Sequence, residues 1–301
     1  MIAQFENKLV SSFLLYLDNQ ILKKGQAYSV NTVNFNIVDD VFQVNGSNKY
    51  VFNCAFDQLV SDASIPTGGF SGISIEGSPI LLGESGFYGI NYDHGQIYFD
   101  NLDYSGSGIT TTGCIKDFNI YLNNFTEEEL LFETKFELRA KATDQVISSS
   151  SALKTKNIAY PAIFIRLESS KDEDFAFGGL DKMVSNFRCL VLAEDNFSLD
   201  ACCSLLRGFR KTEFAVLNPV DLPYSSFGAI TGSVYNYNEQ VTNKTDNDKA
   251  FIWDVSVSKI SFSNSEIKLT NPQVCSAIVD FEVYTFRNPR MWTFSFHKRV
   301  F

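Results

Sequence analysis

The sequence predicts a mainly β protein with a few helices, of the α+β class. It reads as antiparallel sheets or a sandwich, with a long N-terminal helix and a small strand–helix–strand element near residues 187–217. Three observations predict this. Aromatic residues make up 14% of the chain, with 28 Phe and 13 Tyr, and such side chains favour strands. Apolar side chains recur at period two in segment after segment, as half-buried strands require. Short turns containing Gly, Asn or Asp separate those segments.

Residues 4–23 read as an amphipathic helix. Phe5, Leu9, Phe13, Leu17 and Ile21 recur every four positions, joined by Val10, Leu14 and Leu22, which stacks them on one face. Lys23 and Lys24 suit the negative end of the helix dipole, and Gly25 suits a C-cap. This helix either packs into the core or docks on a neighbouring subunit. Residues 28–60 read as short strands with polar turns, the clearest at Asn45-Gly46-Ser47-Asn48. Ser64 to Ser85, with Pro66 and Pro79, reads as a strand pair with loops. Gly68-Gly69 and Gly72 lack the following Lys and helix of a phosphate loop.

The clearest hairpin follows. Ile90 and Tyr92 alternate with Gly89 and Asn91, and Ile97 and Phe99 alternate with Gln96 and Tyr98. Asp93-His94-Gly95 joins them, with Gly95 supplying a positive φ. Phe118, Ile120 and Leu122 mark another antiparallel strand. Leu130, Phe132, Thr134, Phe136 and Leu138 mark the next. Thr126 with Glu129 fits a capping box, or else a solvated acidic turn. The Ser-rich stretch from Ala142 to Asn157 reads as a boundary or a long exposed loop. It divides the chain into 1–145, a helix plus a β-rich domain, and 158–301, a second β-rich domain with one short helix. The alternative is one continuous domain.

In the second half, Ala162 to Leu167 reads as a strand, Lys171 to Asp174 as a charged loop, and Phe187 to Leu192 as a strong strand. Leu199, Cys202, Cys203 and Leu206 share one face of a short helix, capped by Asn196 or Ser198 and ended by Gly208. Phe214 to Leu217 forms the next strand, completing the strand–helix–strand element. Phe251, Trp253, Val255 and Val257 share a face, and a bulge precedes Ile260 and Phe262. Ala277, Val279, Phe281 and Val283 form a strand. Trp292, Phe294 and Phe296 form the last, either as sheet members or as a partner-binding tail.

Composition narrows the function classes. The net charge is −10 and the pI about 4.8, which gives no general attraction for a phosphate backbone and argues against sequence-specific nucleic-acid binding. No apolar run approaches the roughly 20 residues that span a bilayer. The N-terminus lacks the basic region and cleavage site of a signal peptide, so the six Cys are expected as free thiols. The sequons at Asn124, Asn196 and Asn243 then carry little weight.

Catalytic and metal constellations do not assemble in the sequence. Only His94 and His297 exist, no Cys-x-x-Cys pair is present, and there is no Gly-x-Ser-x-Gly elbow. The run from Asp246 lacks the Gly and terminal Glu of a calcium loop. The sequence therefore points to no enzyme, no cofactor and no metal. A pair of glycosidase carboxylates brought together by folding is the remaining catalytic alternative. His94 at the hairpin tip, with Trp292, Phe294 and Phe296, are the candidate interface residues.

Several phrases, in this order, resemble one family. They are FENKLVSSFLLYLDNQILKKGQAYS, GINYDHGQIYFDN, KDFNIYLNN, EEELLFETKF, FAFGGLD, LDACCSLLRGF, VYNYN and VDFEV. Together the chain resembles the structural virion proteins of T4-like tailed phages that infect marine bacteria. The resemblance implies a particle component without catalytic residues, made in the host bacterial cytoplasm and built into the virion. Its partners would be other virion proteins, with a homo-oligomeric ring or repeated subunit as the arrangement. The head–tail neck or tail is the expected place. A receptor-binding fibre or collar appendage is the alternative, and a cell-wall glycosidase the third.

Overall fold

Helix α1 (Phe5–Gly25) organises the fold. In this computed structural model, the described residues are 5–44, 47–56, 58–65, 73–81, 84, 86–92, 95–100, 108–122, 160–174, 181–218, 235–242, 244, 248–260 and 275–287. The four-residue repeat does face the core, since Leu9, Phe13 and Leu17 are fully buried. Yet Ser12, Tyr16, Asp18 and Asn19 are buried too. The helix is therefore enclosed on more than one side. Its C-terminus also differs from expectation. Gly25 is the last helical residue, and Gln26 takes the left-handed φ of 49°. Gly25 serves a packing need instead, for a Cβ there would lie 3.0 Å from Leu205 Cδ2.

The first sheet has seven strands, all paired antiparallel, in the order β4-β3-β7-β1-β2-β6-β5. They are β1 (Tyr28–Val44), β2 (Ser47–Asn53), β3 (Ile73–Ile75), β4 (Ser78–Ile80), β5 (Phe87–Asn91), β6 (Gln96–Phe99) and β7 (Ile109–Lys116). Of the short strands expected over residues 28–60, β2 is one, but β1 runs unbroken for 17 residues. β1 pairs with β7 through Phe35, then with β2 from Asn36 onward. Such a change of partner bends a sheet at that point. Val44 pairs with Ser47, and the expected turn residues Asn45 and Gly46 lie outside the described residues. The β3–β4 hairpin turns at Glu76 and Gly77, both at positive φ. The β5–β6 hairpin pairs Ile90 with Ile97, as its alternation predicts.

The second sheet has six strands, in the order β11-β12-β13-β10-β9-β8. They are β8 (Asn119–Leu122), β9 (Ala162–Asp174), β10 (Asp181–Ala193), β11 (Glu213–Ala215), β12 (Lys249–Lys259) and β13 (Cys275–Arg287). β8 departs from the expected antiparallel arrangement by running parallel to β9. It precedes the Ser-rich stretch in sequence, yet belongs to the sheet built after it. Buried residues from Leu9 to Val283 form one continuous cluster across both sheets.

β9 and β10 are longer than their apolar cores suggest. Lys171–Asp174 is strand, not loop, with Glu173 opposite Lys182 and Asp174 opposite Asp181. Lys171 and Lys182 hold the Glu173 carboxylate at 3.3 and 3.5 Å. Charge here marks an arm open to solvent, not a break in pairing. Helix α2 (Asn196–Arg207) covers the inner face with Leu199, Cys202, Cys203 and Leu206. Its cap is Asp195, which accepts from Ser198 N at 2.8 Å, rather than Asn196 or Ser198. β10 and β11, which flank α2 in sequence, are separated in the sheet by β13 and β12. A short helix, α3 (Tyr237–Thr242), packs beside α1, with Lys23 donating to Asn238.

Phe13 joins α1 to the second sheet. It stacks on Phe187 at 4.4 Å and meets Phe281 and Phe214 at 5.2 and 5.5 Å. Polar links join α1 to the first half of the chain. Lys116 bonds buried Asp18 at 2.6 Å, and Asn19 donates to Asp62. Asp62 also accepts from the backbone N–H groups of Ser64 and Tyr237. That satisfies a buried carboxylate without a cation.

Candidate interaction surface

Alternation along the second sheet separates its two faces. On β10, Met183, Ser185, Phe187, Cys189 and Val191 are buried against the helices. Lys182, Val184, Asn186 and Arg188 project from the opposite, outer face. Further along, Leu190 and Leu192 are covered by a small cluster with Tyr160, Phe164, Ile260 and Ile278.

A bulge in β12 creates the most distinctive part of this outer face. Ile252 pairs with Val283 and Asp254 with Glu282, which leaves Trp253 as the extra residue. Ala250 and Ile252 face inward before it, and Val255 faces inward after it. The bulge therefore sits earlier than the alternation suggests, and it turns Trp253 outward to 44% exposure. Tyr284 lies nearly parallel to the indole, with centroids 5.4 Å apart.

Two lysines complete the array. Lys211 adopts a left-handed φ of 62° in the turn after α2. Its N–H donates to Ile252 O, and Ile252 N–H donates to Thr212 O, both at 2.9 Å. This fixes the Lys211 ammonium 2.9 Å from the centre of the Trp253 ring. Lys182 lies 3.6 Å from the centre of the Tyr284 ring. Both are cation–π contacts. The Tyr284 hydroxyl donates to Glu282 at 2.6 Å. Desolvation, then that bond and the neighbouring carboxylates, push its pKa up to about 12.

Beside the aromatic pair runs an open polar groove of about 380 Å³, lined by Glu168, Asn186, Arg188, Asp254, Asp280 and Glu282 among others. Three of its four carboxylates are paired with arginines. Arg188 holds Asp280 through two bonds, at 2.7 and 3.2 Å. Arg166 holds Glu168, and Arg210 holds Asp254 at 2.7 Å. The Arg188–Asp280 pair is bidentate, which fixes two planar groups in register on the sheet face.

Gly95 stands at φ 54°, as the hairpin requires. His94, Trp292, Phe294 and Phe296, the interface residues expected from sequence, lie outside the described residues. So do Leu130 to Leu138, Thr126 with Glu129, Asp246 and His297. Sequence reasoning missed Trp253 as an exposed residue, because its period placed it with Val255 and Val257. All six Cys are free thiols. Burial pushes the Cys202 thiol up to about 12 and raises Cys189 well above its usual value. Among the described residues, no three His, Cys, Asp or Glu side chains gather as metal ligands would, and no helix is long and apolar enough to cross a membrane. Compared with known proteins, the chain matches no family model and no curated protein.

Proposed function

We propose that this chain is a non-enzymatic structural component of a tailed-bacteriophage particle, at the head–tail neck or in the tail, acting through protein–protein assembly. The single observation that carries the assembly reading is the outward-turned Trp253, stacked with Tyr284 beside Arg188 and Arg210. Trp, Tyr and Arg are the side chains that dominate binding energy at protein interfaces. A face of paired charges around an aromatic centre has the make-up of a contact between separately folded subunits. The placement in a phage particle rests on the order of the phrases that resemble virion proteins.

A second reading is a receptor-binding fibre or collar protein. The polar groove favours it, since carboxylate, amide and guanidinium groups suit a hydroxyl-rich ligand. Against it, the Trp253 ring is already engaged by Lys211 and Tyr284, whereas a sugar stacks on an open ring face. The test is a particle lacking this chain. Unjoined heads and tails support the assembly part. Complete particles that cannot adsorb support the adhesin. Hydrolysis of peptidoglycan or bacterial polysaccharide by the purified chain would overturn both.

A further inference from the structure

We infer that the outer face of the second sheet pairs with the same face of a second copy about a two-fold axis, with Lys211 of each copy opposite Glu282 of the other. The inference rests on the assembly reading above and names one partner for that face.

Charge singles this face out. The chain has 35 acidic and 25 basic residues, so an average patch of its surface repels a second copy. The outer face does not share that excess. Arg166, Arg188 and Arg210 each hold a carboxylate there. Lys171 and Lys182 hold Glu173, and Lys249 reaches Glu213 at 3.6 Å. With Lys211 and Glu282 added, the described residues of the face carry seven cations and six carboxylates. The acidity of the chain therefore lies elsewhere, and this face can meet a copy of itself without like-charge repulsion.

Two charges on the face have no opposite within the chain. The Lys211 ammonium rests over the Trp253 and Phe251 rings, and among the described residues no carboxylate reaches it. Glu282 accepts from the Tyr284 hydroxyl, and among the described residues no cation pairs with it. Lys211 lies against Trp253 and Glu282 against Tyr284, so one cation and one anion flank the stacked rings. An isologous contact pairs a patch with itself. A two-fold axis in the plane of contact, running between the two charges, sets each against its opposite on the other copy. The attraction is then made twice, once on each side of the axis, and it fixes the register of the pair.

The centre of the face is aromatic. Phe286 stands on the same side of β13 as Tyr284 and is 37% exposed, and the Phe251 ring lies 6.1 Å from Trp253. Rings bordered by ion pairs have the core and rim of a subunit contact. The bordering pairs are satisfied within one copy, so closing the contact strands none of them. Size is sufficient as well. β9, β10 and β13 are each 13 residues long, and β12 is 11. At roughly 3.4 Å per residue and roughly 4.8 Å between strands, four such strands present a face on the order of 800 Å². A standard interface buries about 800 Å² per partner.

The experiment is sedimentation velocity on the whole protein over roughly 1–100 µM, a range that spans micromolar association. The expected result for wild type is a monomer–dimer equilibrium. Lys211→Glu and Glu282→Lys each set like charges opposite one another, and each should weaken pairing at least about tenfold. Thermal melts check that both variants are folded. An equimolar mixture of the two variants should pair about as tightly as wild type, because every charge at the contact again meets its opposite. Only a two-fold contact through these two positions gives that rescue. A wild-type chain that stays monomeric throughout overturns the inference, as do single variants that pair unchanged or a mixture of weakened variants that stays apart. Wild-type monomer found at ring copy number in particles would sink the pair and leave the assembly reading standing. A dimer in solution of a chain absent from particles would sink the assembly reading and leave the pair.

Discussion

Gly95 is pressed against Phe56: a Cβ on Gly95 would lie 1.9 Å from the Phe56 carbonyl oxygen and 2.7 Å from Cys54 Sγ. The positive φ of 54° is thus only half of the reason for glycine. The other half is contact, since Cys54 N–H donates to Gly95 O at 2.9 Å and ties the turn to the end of β2. Gly95→Ala meets both penalties, left-handed strain and a backbone clash. It should destabilise the fold by about 2–4 kcal/mol. A thermal melt checks this, and an unshifted melt would mean that the turn relaxes freely.

The buried ion pair of Lys116 and Asp18 makes a sharper test of packing. Their side chains are 5% and 10% exposed. Asp18→Ala leaves a buried ammonium without its carboxylate and should cost about 3–5 kcal/mol. Replacing both, as Asp18→Leu with Lys116→Met, should recover most of that loss, because no buried charge remains. Denaturant titration of the single and double variants measures the difference. A double variant as unstable as the single would show that the pair's other hydrogen bonds matter more.

On the outer face of the second sheet, Trp253→Ala and Arg188→Ala should leave stability within about 1 kcal/mol of wild type, as partly exposed positions do. Incorporation into particles should fall. The informative readout is copy number per particle, by quantitative gel or mass spectrometry. Full incorporation with both residues changed would remove this face from the assembly reading.

Thiol chemistry checks the burial pattern. Burial raises the thiols of Cys189, Cys202 and Cys203, and thiolate is the reactive form. In native protein at mild alkaline pH, Cys54 and Cys275, both only partly buried, should be alkylated first. Cys189 and Cys202 should react only after denaturation. Peptide mapping of the labelled sites reads the order directly, and early labelling of Cys202 would show that α2 lifts from the sheet.

Asp195 gives a pH signature. The Ser198 N–H and then its hydroxyl hold the carboxyl below its ordinary value of 3.8. A carboxylate whose folded-state value is lowered stabilises the fold when ionised. That contribution is complete above about pH 4 and disappears as pH falls through the lower, folded-state value. Asp195→Ala should therefore lower the melting temperature at pH 7 and narrow its gap from wild type below pH 4. An equal gap at both pH values would assign the cap's effect to packing.

Several elements were legible because their signal is local. Helix periodicity located α1 and the buried face of α2, Leu199-Cys202-Cys203-Leu206. Strict alternation located β13, where Ala277, Val279, Phe281 and Val283 are all buried. The β5–β6 register followed from Ile90 and Ile97 on either side of a Gly-ending turn. In each case side-chain direction follows from backbone geometry within a few residues.

The interaction surface was not legible in the same way. Trp253 looks like a core residue by period, and one extra residue in β12 reverses it. Lys211 reads as a surface charge, and only the turn that ties its N–H to Ile252 sets its ammonium over an indole.

By itself the sequence determined the class of this protein: period-two strands, a four-residue repeat in α1, and a hairpin turn where Gly95 takes positive φ. Those are choices each residue makes with its near neighbours. Tertiary structure alone decided that β8 runs parallel to β9 from across the Ser-rich stretch, and that β1 serves two partners. It also decided that charged Lys171–Asp174 continues a strand. Strand pairing joins residues far apart in the chain. The alternation that marks a strand is the same whichever partner satisfies its backbone N–H and C=O groups.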